Sequence, residues 1–136
     1  MADRAARIRD EHELLRTVFK EIQYEPKGDW FFLENDTRAA AFGWTPTPFP
    51  VAFQAHQEHP GTPPYGIYVN PGVRLRGGTV PANFQPSAAN VPPFAGEWAM
   101  LSWSIDGPWI PKVGARGGAN LLAFVLGFED RYKMDQ

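Results

Sequence analysis

Residues 56–69, HQEHPGTPPYGIYV, decide how the rest of the chain is read. Pro60, Pro63 and Pro64 each fix φ and lack a backbone N–H, so no helix runs through this stretch and a Pro/Gly turn is expected. Beyond the turn Tyr65, Ile67 and Val69 alternate with Gly66 and Tyr68, the period-two pattern of a strand with one buried face. Before it Phe49, Val51, Phe53 and Ala55 alternate with Pro50, Ala52 and Gln54 in the same way. Pro50 offers no N–H to a ladder, which assigns it to a sheet edge or a bulge.

Further toward the N-terminus, Asp29-Trp30-Phe31-Phe32-Leu33 reads as an aromatic strand after the turn Pro26-Lys27-Gly28. From Asp3 to Ile22 the apolar positions Ile8, Leu15, Val18, Phe19 and Ile22 recur at helical spacing among charged residues, predicting an amphipathic helix with His12 on its solvated side. Asn35 to Pro48 is a connection in which Ala39 to Ala41 suit either a short helix or a strand.

Toward the C-terminus, Asn70 to Gly96 is rich in Pro, Gly and Asn and reads as a long ordered loop. GEWAMLSWSIDGPWIPKV then brings Trp98, Trp103 and Trp109 together, with Asp106-Gly107-Pro108 as a turn. Gly117-Gly118 is expected to open a helix whose Leu121, Leu122, Val125, Leu126 and Phe128 form an apolar stripe. The fold class expected is therefore α+β, one domain over residues 1–136: an N-terminal helix, an antiparallel β-meander, a long loop region and a C-terminal helix.

Composition narrows the functions. The chain carries 13 Lys and Arg against 15 Asp and Glu with no basic block, which argues against a nucleic-acid or anionic-membrane partner. It has no cysteine, which removes disulfides, thiolate metal sites and a thiol nucleophile. His56 and His59 at a spacing of three make no metal site by themselves, and neither a metal nor a cofactor is expected. The charged N-terminus lacks the apolar core of a secretion signal, and no apolar run is long enough to span a bilayer, so a cytoplasmic protein is expected.

Residues 73–78, VRLRGG, match the tail by which ubiquitin is activated. A modifier needs that Gly-Gly at its terminus, whereas here the chain continues beyond it, and modifier domains open with a hairpin rather than a long helix. Gly77-Gly78 is accordingly read as a turn.

The order of the parts resembles the ubiquitin-conjugating-enzyme-like superfamily. His59-Pro60-Gly61-Thr62-Pro63-Pro64 is similar to the family's Tyr-Pro-x-x-Pro-Pro turn, departing at the Tyr. Trp109-Ile110-Pro111 is similar to its Trp-Ser-Pro, and Leu121 to Phe128 to the helix that follows. The resemblance implies a short form without the family's last two helices, of the kind found in bacterial ubiquitin-like pathways. The departures matter more. The family's nucleophilic cysteine, shortly before the Trp-x-Pro, falls here on Met100, Leu101 and Ser102, none able to form a thioester. Its His-Pro-Asn is matched only by Pro81-Ala82-Asn83.

Three functions follow. The first is a non-catalytic member that binds a ubiquitin-like modifier or its activating enzyme, anchored by Trp98, Trp103 and Trp109, with Arg74 and Arg76 available to an acidic partner. The second is an acyl-transfer enzyme that uses a hydroxyl or an imidazole in place of cysteine, with Ser102, His59 and Asn83 as the candidate residues. The third is a structural or oligomerisation module. Pro60, Pro63, Pro64 and Pro111 are structural in all three.

Overall fold

A computed structural model describes residues 3–105 and 107–135. Helix α1 spans Arg4–Arg16, opened by the Asp3 carboxylate accepting from the Ala5 N–H at 3.1 Å, an N-cap bond. It closes earlier than its periodicity predicts. The Thr17 hydroxyl bonds the Leu14 carbonyl at 2.6 Å and the chain then turns, so Val18 points to solvent at 51 % exposure while Ile22 re-enters the core.

Six antiparallel strands follow: β1 Gln23–Glu25, β2 Trp30–Asp36, β3 Phe49–Gln54, β4 Ile67–Val69, β5 Phe84–Gln85 and β6 Ala99–Leu101. They form one open sheet in the order β1-β2-β3-β4-β6-β5. Pro50 lies in the central strand β3, opposite the bulge in β2 between Leu33 and Asp36, where the ladder needs no N–H. A 3-10 turn, Arg38–Phe42, bridges β2 and β3. Three strands lie outside the sequence expectation: β1, β5 and β6, the last of them within the tryptophan-rich stretch. The three-residue β1 is too short to alternate visibly, and β5 shows that Asn70 to Gly96 is not wholly loop, since Phe84 and Gln85 pair with Leu101 and Met100.

The C-terminal helix does not begin at Gly117. Gly118 sits at φ 65°, and a Cβ there would meet the Ile110 carbonyl oxygen at 2.5 Å, so the glycine serves a tight turn. Asn120 caps the helix instead, accepting from the Ala123 N–H at 2.7 Å. The helical segment divides at Gly127 into α2 Leu121–Leu126 and α3 Phe128–Lys133. The chain past Phe128 is thus part of the core: Tyr132 is fully buried.

Period-two alternation sends Phe31, Leu33, Val51, Phe53, Ile67, Val69, Ala99 and Leu101 to one face, where they pack with Ile8 and Leu15 of α1 and with Leu121, Phe124, Val125, Phe128 and Tyr132. Each of the Val, Leu, Ile and Phe side chains among them contributes about 1.5–3 kcal/mol by leaving water. Trp30, Ala52, Tyr68 and Trp98 form a second cluster on the opposite face, where Phe94 stacks on Phe32 at 4.6 Å. The segment 86–98 thus covers much of the outer sheet. Among the described residues, no helix is long and apolar enough to cross a membrane.

Candidate functional site

The Pro60 turn and the loop after β6 meet at one end of the sheet. The half-buried Trp109 donates its indole N–H to the Pro60 carbonyl at 2.8 Å. An isolated bridge pairs Pro111 with Gly118, and the Ala119 N–H bonds the Ile110 carbonyl at 2.9 Å. The loop is therefore tied at its base while its aliphatic tips face outward: Ile110 is 58 % exposed and Val113 95 %. Asp106, expected in a turn here, lies outside the described residues.

Beneath these loops is a buried charged cluster. Arg7 and Glu11, one helical turn apart on α1, pair at 2.5 Å. The same carboxylate oxygen, Oε2, is 2.6 Å from His59 Nε2, and Oε1 accepts the Leu121 N–H at 2.5 Å. Arg7 Nη1 also donates to the carbonyls of Lys112 at 2.6 Å and Val113 at 3.2 Å. Burial pushes the Glu11 carboxyl up, but the hydrogen bonds from His59 and Arg7 outweigh it and hold Glu11 below its ordinary value. His59 Nδ1 is buried with no partner among the described residues, and the Glu11 carboxylate, which only accepts, requires a hydrogen on Nε2.

The residues expected for acyl transfer do not assemble. Ser102 and Asn83 are neighbours, since the Ser102 N–H bonds the Asn83 carbonyl at 3.0 Å, but the Ser102 hydroxyl accepts from the Gln85 amide at 2.6 Å. His59 has no exposed side chain and spends its one bonded nitrogen on Glu11. His56 Nδ1 accepts the Glu58 N–H at 3.0 Å. His12 is not solvated as expected: it packs between Tyr24 and Phe31 at 5.3 and 5.9 Å, and burial lowers its pKa. No serine or threonine hydroxyl bonds a histidine among the described residues, and no group of three ligating side chains converges there.

The tryptophan anchors need correction. Trp98 is buried in the outer cluster, and Trp103 packs on Phe124 and Phe128 in the main core. Their rings fill the two faces of the sheet, and only Trp109 lies at the surface. Arg74 folds back on the carbonyls of Pro71 and Val73 and lies 5.5 Å over Phe84, so it is not a solvated charge. Arg76 is exposed beside Gly77 and Gly78, whose φ values of 84° and 87° make VRLRGG a tight turn. The tail-like letters belong to a bend with Val73 buried beneath it.

Two further polar arrangements were hidden in the sequence. Asp36, Arg38 and Tyr132 form a buried triad in which the Tyr132 hydroxyl donates to Asp36 at 2.9 Å. Tyr24 donates to Asp29 at 2.6 Å beside Arg4, and burial together with that carboxylate pushes Tyr24 up to about 12. An open groove of about 650 Å³ next to Arg4 is lined by Gln54, His56, Tyr65 and Tyr68. The chain matches no protein-family model, no curated protein and no solved structure.

Proposed function

We propose that this chain is a divergent, cysteine-less member of the ubiquitin-conjugating-enzyme-like superfamily, acting in the cytoplasm as a non-catalytic partner of a ubiquitin-like modifier or its activating enzyme. The observation that carries the reading is the bond from Trp109 to Pro60. It joins the Pro-rich turn and the Trp-Ile-Pro segment, the two motifs on which the resemblance rests, at one end of an antiparallel meander backed by α1. The cysteine position holds Met100, Leu101 and Ser102, and the one hydroxyl among them is occupied by Gln85 rather than a base. Recognition then falls to the loop surface of Trp109, Ile110 and Val113, because residues 86–98 already cover much of the outer sheet.

Titration of the protein with a bacterial ubiquitin-like protein, and separately with its activating enzyme, tests this by calorimetry and by amide NMR shifts. Binding should perturb residues 109–113 and the Pro60 turn. Absence of heat and of shifts with both partners at high micromolar concentration sinks the proposal.

A further inference from the structure

The Arg7–Glu11–His59 cluster is buried, charged and unused by any chemistry described above. Its side chains are 4 %, 0 % and 0 % exposed. A buried ion pair of this kind contributes little net stability against a hydrophobic replacement, yet removing one member leaves a costly orphan. Its value is then to be sought in what it fixes.

It fixes both loops of the candidate surface. Through Oε2, Glu11 holds His59, the residue preceding Pro60, whose carbonyl receives Trp109. Through Arg7 the same oxygen is linked to the carbonyls of Lys112 and Val113, the tip that projects outward. Through Oε1 it holds the first residue of α2, which follows that loop. Three donors from three elements converge on one carboxylate, and a glutamine, with one acceptor oxygen and an added NH₂, cannot satisfy them all.

We infer that Arg7, Glu11 and His59 are positioning residues that lock the Pro60 turn and the 109–119 loop together as a single preformed docking surface. The assignment of docking rests on the function proposed above; the locking does not. A surface held in its bound shape loses less entropy on association, so the cluster acts on affinity without touching the partner.

Amide hydrogen exchange on the whole chain tests the locking without any partner. In the unmodified protein the Ala119 N–H, bonded to Ile110, and the Gly61 N–H, bonded to Glu58, should open with one shared free energy as denaturant is raised. Glu11→Gln should accelerate both by about tenfold or more while the β2–β3 ladder is unaffected. Arg7→Lys, which keeps the charge but loses the planar fork, should do the same and serves if the first variant does not fold. Separate opening energies for the two loops in the unmodified protein, or exchange within about twofold of it in a folded variant, overturn the inference. The ubiquitin-like protein of the titration above is then added to the same samples. An about tenfold weaker affinity in the variants is expected of a lost preformed surface, and unchanged affinity beside accelerated exchange overturns the link to docking. Absence of binding even to the unmodified protein defeats the functional reading while leaving the exchange result standing.

Discussion

Replacing Tyr132 by Phe removes one hydroxyl from a buried polar contact. That hydroxyl donates to Asp36 Oδ2 at 2.9 Å, and burial with the adjacent carboxylate raises its pKa well above the ordinary tyrosine value, so it stays protonated throughout the accessible range. Asp36 would remain paired, because Arg38 reaches Oδ1 through Nε at 2.9 Å and Oδ2 through Nη2 at 2.8 Å. The cost is therefore that of one hydrogen bond to a charged group, about 1.5–3 kcal/mol, and not the 3–5 kcal/mol or so of a stranded buried charge. The ring keeps its place against Trp44 and Phe49, so no cavity term adds to it. With an m-value of about 1.5 kcal/mol/M, the urea midpoint should fall by about 1–2 M. Tryptophan fluorescence reports it, since Trp44 lies 5.3 Å from the Tyr132 ring. A midpoint shift below about 0.3 M at unchanged m would refute the reasoning, for it would mean that the hydroxyl is as well served by water as by Asp36.

Phe94→Ala should uncover the outer cluster, removing the stacking partner of Phe32; a loss of about 2–4 kcal/mol by denaturation together with new binding of a hydrophobic dye is expected, and native-like dye binding counts against the covering role of residues 86–98. Tyr24 should titrate near the value of about 12 set by burial and Asp29. Its pKa is raised on folding, so the stability it contributes is complete below about 10, the unfolded tyrosine value, and is lost as pH climbs toward 12. Ultraviolet titration of the Tyr24→Phe variant checks this by loss of that transition. Glu11 has the opposite sign: its folded pKa is lowered, so its contribution holds above about pH 4.3, the unfolded glutamate value, and disappears as acid takes the carboxyl through its lowered native value. Acid unfolding of the protein should therefore set in at higher pH once Arg7 is replaced by Met, and an unchanged acid midpoint in a folded variant is the contrary result.

Much of the scaffold was legible because its residues obey simple periods. Phe49, Val51 and Phe53 alternate and are buried as the alternation predicts, and Ile8 and Leu15, seven apart, are 1 % and 0 % exposed. What escaped was polar. Arg7 and Glu11 lie on the same helical face as Ile8, Leu14 and Leu15, and that placement inside an apolar stripe was the available signal that the pair is buried. Hydropathy treats both as solvent-facing. His59 escaped for a related reason: the proline that follows it marked the turn but not the carboxylate, 48 positions earlier, that the ring meets. The tryptophans were misplaced because sequence clusters aromatic rings without telling the two faces apart. Trp98 and Trp103 lie on opposite sides of the sheet, in different clusters. The start of α2 was readable from Asn120, an N-cap residue type, and was obscured by the glycines before it.

The covering of the outer sheet by the chain's own residues 86–98 limits the size of any handshake the protein can make. With one face buried in the core and much of the other covered, contact through the loop tips around Ile110 and Val113 would give a footprint at the small end of protein interfaces, under about 1,200 Å² in total. Complexes of that size form and part quickly, with differences in lifetime set mainly by the rate of release. On the function proposed above, such a surface would suit brief, reversible contact rather than a large enclosing interface.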